Sequence, residues 1–162
     1  LATMQAEKGR GRRYRLASDG GWFTLIDESY NANPTSMRAA IALLRDAEPH
    51  GAGRRIAVLG DMLEMGEHSP EVHAGLAEPL LEAGINDVWL GGPDMASLYD
   101  VLPEGVNREY RATADELARY ALDAVRAGDV LVVKSSKGTG FSRIVAALLD
   151  KYPSFSDGER EN

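Results

Sequence analysis

Short apolar runs alternate along this chain with longer stretches in which apolar residues recur every three or four positions. The short runs are rich in β-branched residues and predict strands, whereas the longer stretches predict helices with one buried face. A regular exchange of the two kinds of element is typical of an α/β domain built in layers. We expect strands at residues 14–16, 22–26, 56–59, 88–90 and 130–133, and a weaker one at 108–111.

The first two predicted strands are joined by the short sequence Ser18-Asp19-Gly20-Gly21. A turn of this length favours an antiparallel hairpin, which would precede the parallel part of the sheet. We therefore predict a Rossmann-like, three-layer α/β domain with a mostly parallel sheet, an N-terminal antiparallel hairpin and helices on both faces. The helix residues expected in the core are Met37, Ile41 and Leu44, then Leu117, Ala121 and Val125, and finally Val145, Leu148 and Leu149.

Capping residues mark the expected helix starts. Asn33 precedes Pro34, so a capping side chain stands before a residue that needs no amide hydrogen at the first helical position. Thr113 and Glu116 have the spacing of a capping box. Pro79 falls inside another helical pattern, where proline removes a backbone hydrogen bond, and we expect a kink or a break there.

The length and composition indicate one folded domain. The chain has 162 residues, of which 44% are hydrophobic, enough to close a core. We assign the domain to residues 1–153 and predict that the polar segment 154–162 is a disordered tail. Because the chain begins Leu1-Ala2-Thr3 without a methionine, we interpret it as a piece of a longer protein.

Charge and cysteine content exclude several classes of protein. The 25 acidic residues outnumber the 18 basic ones, and the net charge of -7 argues against nucleic acid or an anionic membrane as a partner. The absence of cysteine excludes disulfides and thiolate chemistry and fits a reducing compartment. Every apolar run is far shorter than the roughly 20 residues of a membrane-spanning helix. We expect a cytoplasmic protein.

Three polar segments follow predicted strands, at the edge where α/β sheets bind ligands. The first, residues 27–34, contains two acids, Tyr30 and two asparagines. Such a loop can offer carboxylates to hydroxyl groups or a metal, and an aromatic face for stacking. The purely structural alternative is that Asn33 only caps a helix and Tyr30 only packs.

The other two segments carry less specific signals. Gly60-Asp61-Met62 is either a functional loop or a simple turn, and the nearby His68 and His73 lack the spacing of a helical two-histidine metal site. In residues 134–140 the lysine precedes the glycines, the reverse of a P-loop, and the chain has no G-x-G-x-x-G fingerprint. This last loop suits a carboxylate or phosphate oxygen, or it only makes a tight turn.

Three stretches together have the residue order of a known enzyme family. They are Asp27-Glu28-Ser29-Tyr30-Asn31-Ala32-Asn33-Pro34-Thr35-Ser36-Met37, Ala57-Val58-Leu59-Gly60-Asp61-Met62-Leu63-Glu64-Met65-Gly66 with Ser69 and His73, and Gly128-Asp129-Val130-Leu131-Val132-Val133-Lys134. The chain resembles, from about residue 9 to residue 149, the carboxy-terminal domain of MurF-type Mur ligases. These enzymes join D-alanyl-D-alanine to UDP-N-acetylmuramoyl-tripeptide.

The resemblance implies a cytoplasmic enzyme of peptidoglycan precursor synthesis. In that family, ATP phosphorylates the tripeptide carboxylate, and the dipeptide amine attacks the acyl phosphate to form an amide. A central domain carries the P-loop and provides most of the contacts with magnesium, and a first domain holds the UDP sugar. This sequence contains neither, so we expect it to complete the ATP site, to help position the dipeptide, and to be inactive alone.

The same resemblance assigns roles to individual residues. For ATP it implies Arg10 at the phosphates, Asp27 or Glu28 at the ribose hydroxyls, and Tyr30, Asn31 and Asn33 on the nucleotide and interdomain side. For the dipeptide it implies Lys134, Ser135 and Ser136. It assigns no certain catalytic residue and no metal ligand to this domain.

Two departures from the family pattern bear on these roles. The family usually has two aspartates where this chain has Asp27-Glu28, so either carboxylate could contact the ribose. After the lysine the family usually has Gly-Ser-Arg, whereas this chain has Ser135-Ser136-Lys137. A lysine cannot reproduce the bidentate contact of an arginine with a carboxylate.

A phospho-acceptor, receiver-like signalling domain is the alternative interpretation. Such a domain has an acidic pair after one strand, an aspartate after a middle strand and a lysine after a late strand. Asp27-Glu28, Asp61 and Lys134 fit this order and could bind magnesium and take up a phosphoryl group on Asp61. The predicted hairpin, the greater length and the polar run at residues 30–33 favour the ligase.

Overall fold

A computed structural model of the chain describes residue 9 and residues 11–156. The strands of this part are β1 (Arg12–Ser18), β2 (Gly21–Glu28), β3 (Arg55–Gly60), β4 (Asp87–Gly91), β5 (Asn107–Arg111) and β6 (Val130–Lys134). They form one sheet in the order β1-β2-β6-β3-β4-β5. The β1–β2 pair is antiparallel, and all other neighbours are parallel. The predicted mostly parallel sheet with an N-terminal hairpin is confirmed.

Helices cover both faces of this sheet. They are α1 (Pro34–Asp46), α2 (Ser69–Ala74), α3 (Ala77–Glu82), α4 (Ala96–Val101), α5 (Ala114–Ala124) and α6 (Ser142–Lys151), with a 3-10 turn at Gly66–His68. The successive connections β2–β3, β3–β4 and β4–β5 all move across the sheet in the same direction, and the β5–β6 connection moves in the opposite direction. Since such crossovers are right-handed, α5 lies on the opposite face from α1 to α4. The predicted three layers are therefore confirmed.

The core lies in two layers, one on each side of the sheet. Val130 and Val132 belong to the layer under α1 to α4, whereas Leu131 and Val133 belong to the layer under α5 and α6. Strand β6 is thus buried on both faces, as expected for a central parallel strand. The helix residues predicted for the core are buried, except that Leu149 is only partly buried.

The predicted helix starts have a clear physical basis in the structure. Asn33 Oδ1 accepts from Ser36 N at 2.8 Å, and Asn33 N donates to Ser36 Oγ at 2.9 Å, so α1 begins with a capping box. Glu116 N donates to Thr113 Oγ1 at 3.1 Å, which forms half of the box predicted for α5. The expected break near Pro79 separates α2 from α3 and leaves the proline in the first turn of α3.

Two sequence predictions concern the ends of the chain. At the start of the predicted tail, Ser154 forms a bridge with Leu16, and the Phe155 ring stacks on Trp22 with centroids 5.7 Å apart. The rest of that tail lies outside the described residues, as does Arg10. Among the residues that are described, no helix has both the length and the apolar character needed to cross a membrane.

Candidate functional site

The carboxyl ends of β2, β6 and β3 lie side by side, with β6 in the middle. Strand β3 follows β2 along the chain but does not pair with it, because β6, the last of the described strands, lies between them. The order of the strands in the sheet therefore reverses at this point. Ligands of open α/β sheets bind at such points. The register sets Glu28 beside Lys134 and Lys134 beside Leu59, so the three polar segments found in the sequence meet at one rim.

The two adjacent acids at the end of β2 have different surroundings. Asp27 is 1% exposed, and its Oδ1 accepts hydrogen bonds from the backbone N–H and the hydroxyl of Ser29. The Glu28 side chain is 20% exposed, and its Oε1 lies 3.7 Å from Lys134 Nζ. Asp27 therefore shapes the turn after β2, whereas Glu28 brings a carboxylate to the rim.

Lys134 ends β6 beneath this rim. Its side chain is only 7% exposed, and burial lowers the pKa of the ammonium group, while the carboxylate of Glu28 acts in the opposite direction. Among the described residues, Glu28 is the acidic neighbour of this buried cation, which can interact strongly with a further anionic oxygen because little water screens it. The pair Glu28–Lys134 is therefore the electrostatic centre of the rim.

The loop after β2 presents the aromatic and amide groups that the sequence singled out. The Tyr30 side chain is 40% exposed, and Lys137 Nζ lies 5.4 Å from the centroid of its ring. Asn31 Oδ1 accepts from Ala32 N at 2.8 Å, and Asn33 caps α1. The capping role that the sequence left open for Asn33 is thus real, and both asparagines still lie at the surface.

The two serines after β6 face the protein interior. Ser135 is 0% exposed, and its hydroxyl donates to Asp61 O at 3.2 Å and shares a 2.7 Å hydrogen bond with Thr139 Oγ1. Ser136 is 5% exposed, and its hydroxyl also has protein partners. The resemblance implied that both residues contact the dipeptide. In the structure, both hydroxyls form hydrogen bonds with groups of the protein itself.

Asp61 and His73 hold the loop after β3 in place. Asp61 is buried, and its two carboxylate oxygens accept from Asp94 N at 3.2 Å and Met95 N at 2.9 Å. Burial raises the pKa of this carboxyl group, and the two amide hydrogen bonds oppose the rise. His73 Nε2 accepts from Met62 N at 2.9 Å, so Nδ1 carries the hydrogen and donates to Ser69 O at 2.8 Å.

These contacts bear on both metal binding and phosphorylation at Asp61. Asp61, His73 and Asp94 offer ligand atoms that lie within 4.8 Å of one another. Both nitrogens of His73 and both oxygens of Asp61 already bond to the protein, so the group is built as a structural anchor. A phospho-acceptor carboxylate must be open, and Asp61 is 5% exposed. In addition, β6, which ends at Lys134, lies between β2 and β3, whereas receiver-like sheets have the strand order 2-1-3-4-5.

Two cavities open at the rim and share one wall. The first, about 300 Å³, lies between the β2 loop and the start of α6, with Asp27, Tyr30 and Phe141 among its lining residues. The second, about 410 Å³, lies between the β2 and β3 loops. Ser136 and Lys137 line both. Larger cavities lie at the opposite end of the sheet, away from the carboxyl ends of the strands, and we place the site at the rim.

Lys137 is the residue that sequence reasoning did not assign to the site. Its side chain is exposed, covers the Tyr30 ring and reaches both cavities. The only sequence signal was its place in the loop after β6, where it counted as a departure from the family pattern. Its distance from Tyr30 along the chain hides the contact between them.

Comparison with known proteins gives a consistent result. Residues 11–137 match the family described as "Mur ligase, glutamate ligase domain". The UDP-N-acetylmuramoyl-tripeptide–D-alanyl-D-alanine ligase of Rickettsia prowazekii is 30% identical over 145 residues, which are 90% of this chain and 31% of that protein. The enzyme of the same name from Escherichia coli is 31% identical over 149 residues, 91% of this chain and 31% of its own length.

A solved structure has the same fold. The MurF ligase of Thermotoga maritima, crystallised in complex with ADP, superposes with a TM-score of 0.70 at 25% identity, covering 91% of this chain and 32% of that one. The chain thus spans about a third of the length of the proteins it matches.

Proposed function

The chain belongs to the Mur ligase family as its glutamate ligase domain, and on this premise we propose that it serves an ATP-dependent, amide-forming ligase that joins D-alanyl-D-alanine to UDP-N-acetylmuramoyl-tripeptide. The observation that carries this proposal is the 30% identity, over 90% of the chain, with a relative named for that reaction. The ligase would act in the cytoplasm, in peptidoglycan precursor synthesis. Its first and central domains would be the other partners of this chain.

The rim has the groups that one side of a nucleotide site needs. Tyr30 offers a partly exposed aromatic ring that can stack on a base, and exposed Asn31 and Asn33 offer amide groups to polar ring edges. The adjoining cavity of about 300 Å³ is at the small end of ligand pockets and opens to solvent. This domain would therefore form one wall of the ATP site, and the central domain, with its P-loop and magnesium, would form the other.

Glu28 is the better candidate for the ribose contact. Asp27 is buried and already accepts two hydrogen bonds from Ser29, whereas the Glu28 carboxylate reaches the rim. A carboxylate that accepts from two adjacent hydroxyls fixes the sugar and, through it, the direction of the phosphate chain. Arg10, by resemblance, would meet the phosphates.

The proposed reaction needs positioning more than acid–base chemistry from this domain. ATP transfers its γ-phosphoryl group to the tripeptide carboxylate, and ADP is released. The dipeptide amine then attacks the acyl carbon, phosphate leaves, and the amine loses a proton as the amide forms. Phosphoryl transfer depends mainly on alignment and charge stabilisation. Lys134 would act on the dipeptide side, where its ammonium group can attract a carboxylate.

Paired substitutions test this assignment in the complete ligase that carries the domain. We expect Glu28→Ala to lower kcat/KM for ATP about tenfold or more, since a hydrogen bond to a charged group contributes about 1.5–3 kcal/mol. Arg10→Ala should have a similar effect. Glu48→Ala is the matched control, because Glu48 is exposed and follows α1 at the opposite end of the sheet. Unchanged ATP kinetics in both Glu28→Ala and Arg10→Ala would overturn the proposed ATP site.

The isolated chain should neither hydrolyse ATP nor form an amide. The physical reason is that it lacks the P-loop motif that holds the phosphates for transfer. ADP release by the purified 162-residue chain, measured with a coupled assay, is expected at the level of the buffer. ATP turnover that Glu28→Ala abolished would contradict the division of labour proposed for the domains.

A further inference from the structure

Ser136 forms hydrogen bonds with residues of three different segments. Its N–H donates to Asp61 O at 3.1 Å, and its hydroxyl donates to Ala32 O at 3.2 Å. Leu63 N donates to the same hydroxyl at 2.9 Å. Thr139 Oγ1 donates to Ser136 O at 2.8 Å. One residue after β6 is therefore bonded to the loop after β2, to the loop after β3 and to its own loop.

The hydroxyl of Ser136 has little capacity left for an anionic ligand. A serine hydroxyl has one hydrogen to donate and two lone pairs that accept. Ala32 O receives the hydrogen, and Leu63 N uses one lone pair. A ligand carboxylate or phosphate oxygen would need that same hydrogen, and Ser136 is only 5% exposed.

We propose that Ser136 is a positioning residue: its hydroxyl ties the loop after β2 to the loop after β3 and so fixes the wall between the two rim cavities. Ala32 lies between Asn31 and the helix cap Asn33, and Leu63 lines the second cavity. The wall affects the binding of ATP and of the dipeptide only if the chain has the proposed function, and in that respect this inference rests on the proposed function. Ser136 would act through the two loops, without touching ATP or the dipeptide.

Loss of the hydroxyl should loosen the link between the loops locally. In Ser136→Ala the part-buried bond of Leu63 N and the buried bond of Ala32 O are both lost, and an unsatisfied buried group destabilises the arrangement that holds it. Water can satisfy both groups if the β2 and β3 loops move apart. The expected consequence is a wider second cavity and less well aligned groups on both sides of the wall.

Amide hydrogen exchange of the 162-residue chain tests the link directly. We expect Ser136→Ala to speed exchange of the Leu63 amide at least about fivefold, the factor for about 1 kcal/mol. The Met62 amide, which donates to His73, should keep its rate. Ser136→Thr keeps the hydroxyl and should keep Leu63 slow. Ser18→Ala is the control, since the Ser18 hydroxyl is buried without a hydrogen-bond partner among the described residues.

Kinetics of the complete ligase separate positioning from direct ligand contact. A positioning role predicts that Ser136→Ala lowers kcat/KM for both ATP and D-alanyl-D-alanine, and that Ser18→Ala changes neither. A rise in KM for the dipeptide alone, with ATP kinetics unchanged, would overturn the inference in favour of a direct contact, as would an unchanged Leu63 exchange rate. If the wild-type enzyme did not use D-alanyl-D-alanine, the proposed function would fail, and the exchange experiment would still decide whether Ser136 links the loops.

Discussion

Gly60 is a position near the site where one added methyl group should destabilise the fold strongly. It ends β3, and an ideal Cβ at this residue would lie 2.4 Å from Ser135 Oγ and 2.5 Å from Cε1 of Phe141. Neither neighbour can swing into solvent, because Ser135 is 0% and Phe141 is 2% exposed. Gly60→Ala therefore forces both residues, and the loop between them, to shift.

The cost can be estimated from the contacts that must change. Displacing Ser135 weakens its bonds to Asp61 O and Thr139, at a net value of about 1 kcal/mol each. Displacing the Phe141 ring adds overpacking, which typically costs about 1–3 kcal/mol. The reduced entropy of the unfolded chain returns about 0.4–1 kcal/mol. We expect the free energy of unfolding to fall by about 2–4.5 kcal/mol.

Urea denaturation followed by circular dichroism measures this change. With an m-value of about 2 kcal/mol/M, the midpoint of Gly60→Ala should fall by about 1–2 M. Gly105→Ala is the matched control, because nothing in the described residues lies within 4 Å of its Cβ position. Its midpoint should stay the same or rise slightly. If Gly60→Ala unfolded at the same urea concentration as Gly105→Ala, the close packing of β3 against the loop after β6 would be refuted.

Two further predictions concern buried carboxylates. Asp129 is 1% exposed and accepts hydrogen bonds from an arginine side chain and two backbone amides, so Asp129→Ala should cost about 3–5 kcal/mol in the same assay. Asp123→Ala should change little, since that side chain is 87% exposed, and equal effects would contradict the assignment. For Asp61, burial raises the folded-state pKa above the unfolded value of about 3.9. Its contribution is therefore fully present below that value and is lost as pH rises through the folded pKa, so from pH 4 to pH 7 wild type should lose stability relative to Asp61→Asn. The opposite slope, measured by urea denaturation at both pH values, would show that Asp61 is not buried as described.

The layered fold was predictable because its signals are local. The strand runs, the Asn33-Pro34 cap and the helix faces such as Met37 and Leu44 all depend on neighbours within a few residues. The predicted strands were too short, since β1 and β2 extend into polar residues whose backbones still pair with the neighbouring strand. The position of β6 between β2 and β3 depends on pairing between residues far apart in the chain, which the hydrophobic periodicity of the sequence does not reveal.

The site was only partly predictable for the same reason. Sequence order brought the three segments to one edge, but Asp27 and Glu28 look alike until the structure shows one bonded to Ser29 and the other to Lys134. The serines after β6 looked like ligand groups because nothing in the sequence reveals that their hydroxyls face other loops.

The start of the predicted tail depends on equally distant contacts. The segment is polar in composition, yet Phe155 stacks on Trp22 in the first hairpin. Composition predicts whether a segment can bury a core of its own, and it says nothing about a single ring that packs on another element.

The most direct test of the account is the choice of amine by the complete ligase that carries this domain. The enzyme would be given ATP, magnesium and UDP-N-acetylmuramoyl-tripeptide with either D-alanyl-D-alanine or single amino acids such as 2,6-diaminopimelate, and the products identified by mass spectrometry. We expect an ATP-dependent amide product with D-alanyl-D-alanine and none with the single amino acids. A product formed only with a single amino acid would contradict the central claim and assign the domain to another branch of the Mur ligase family.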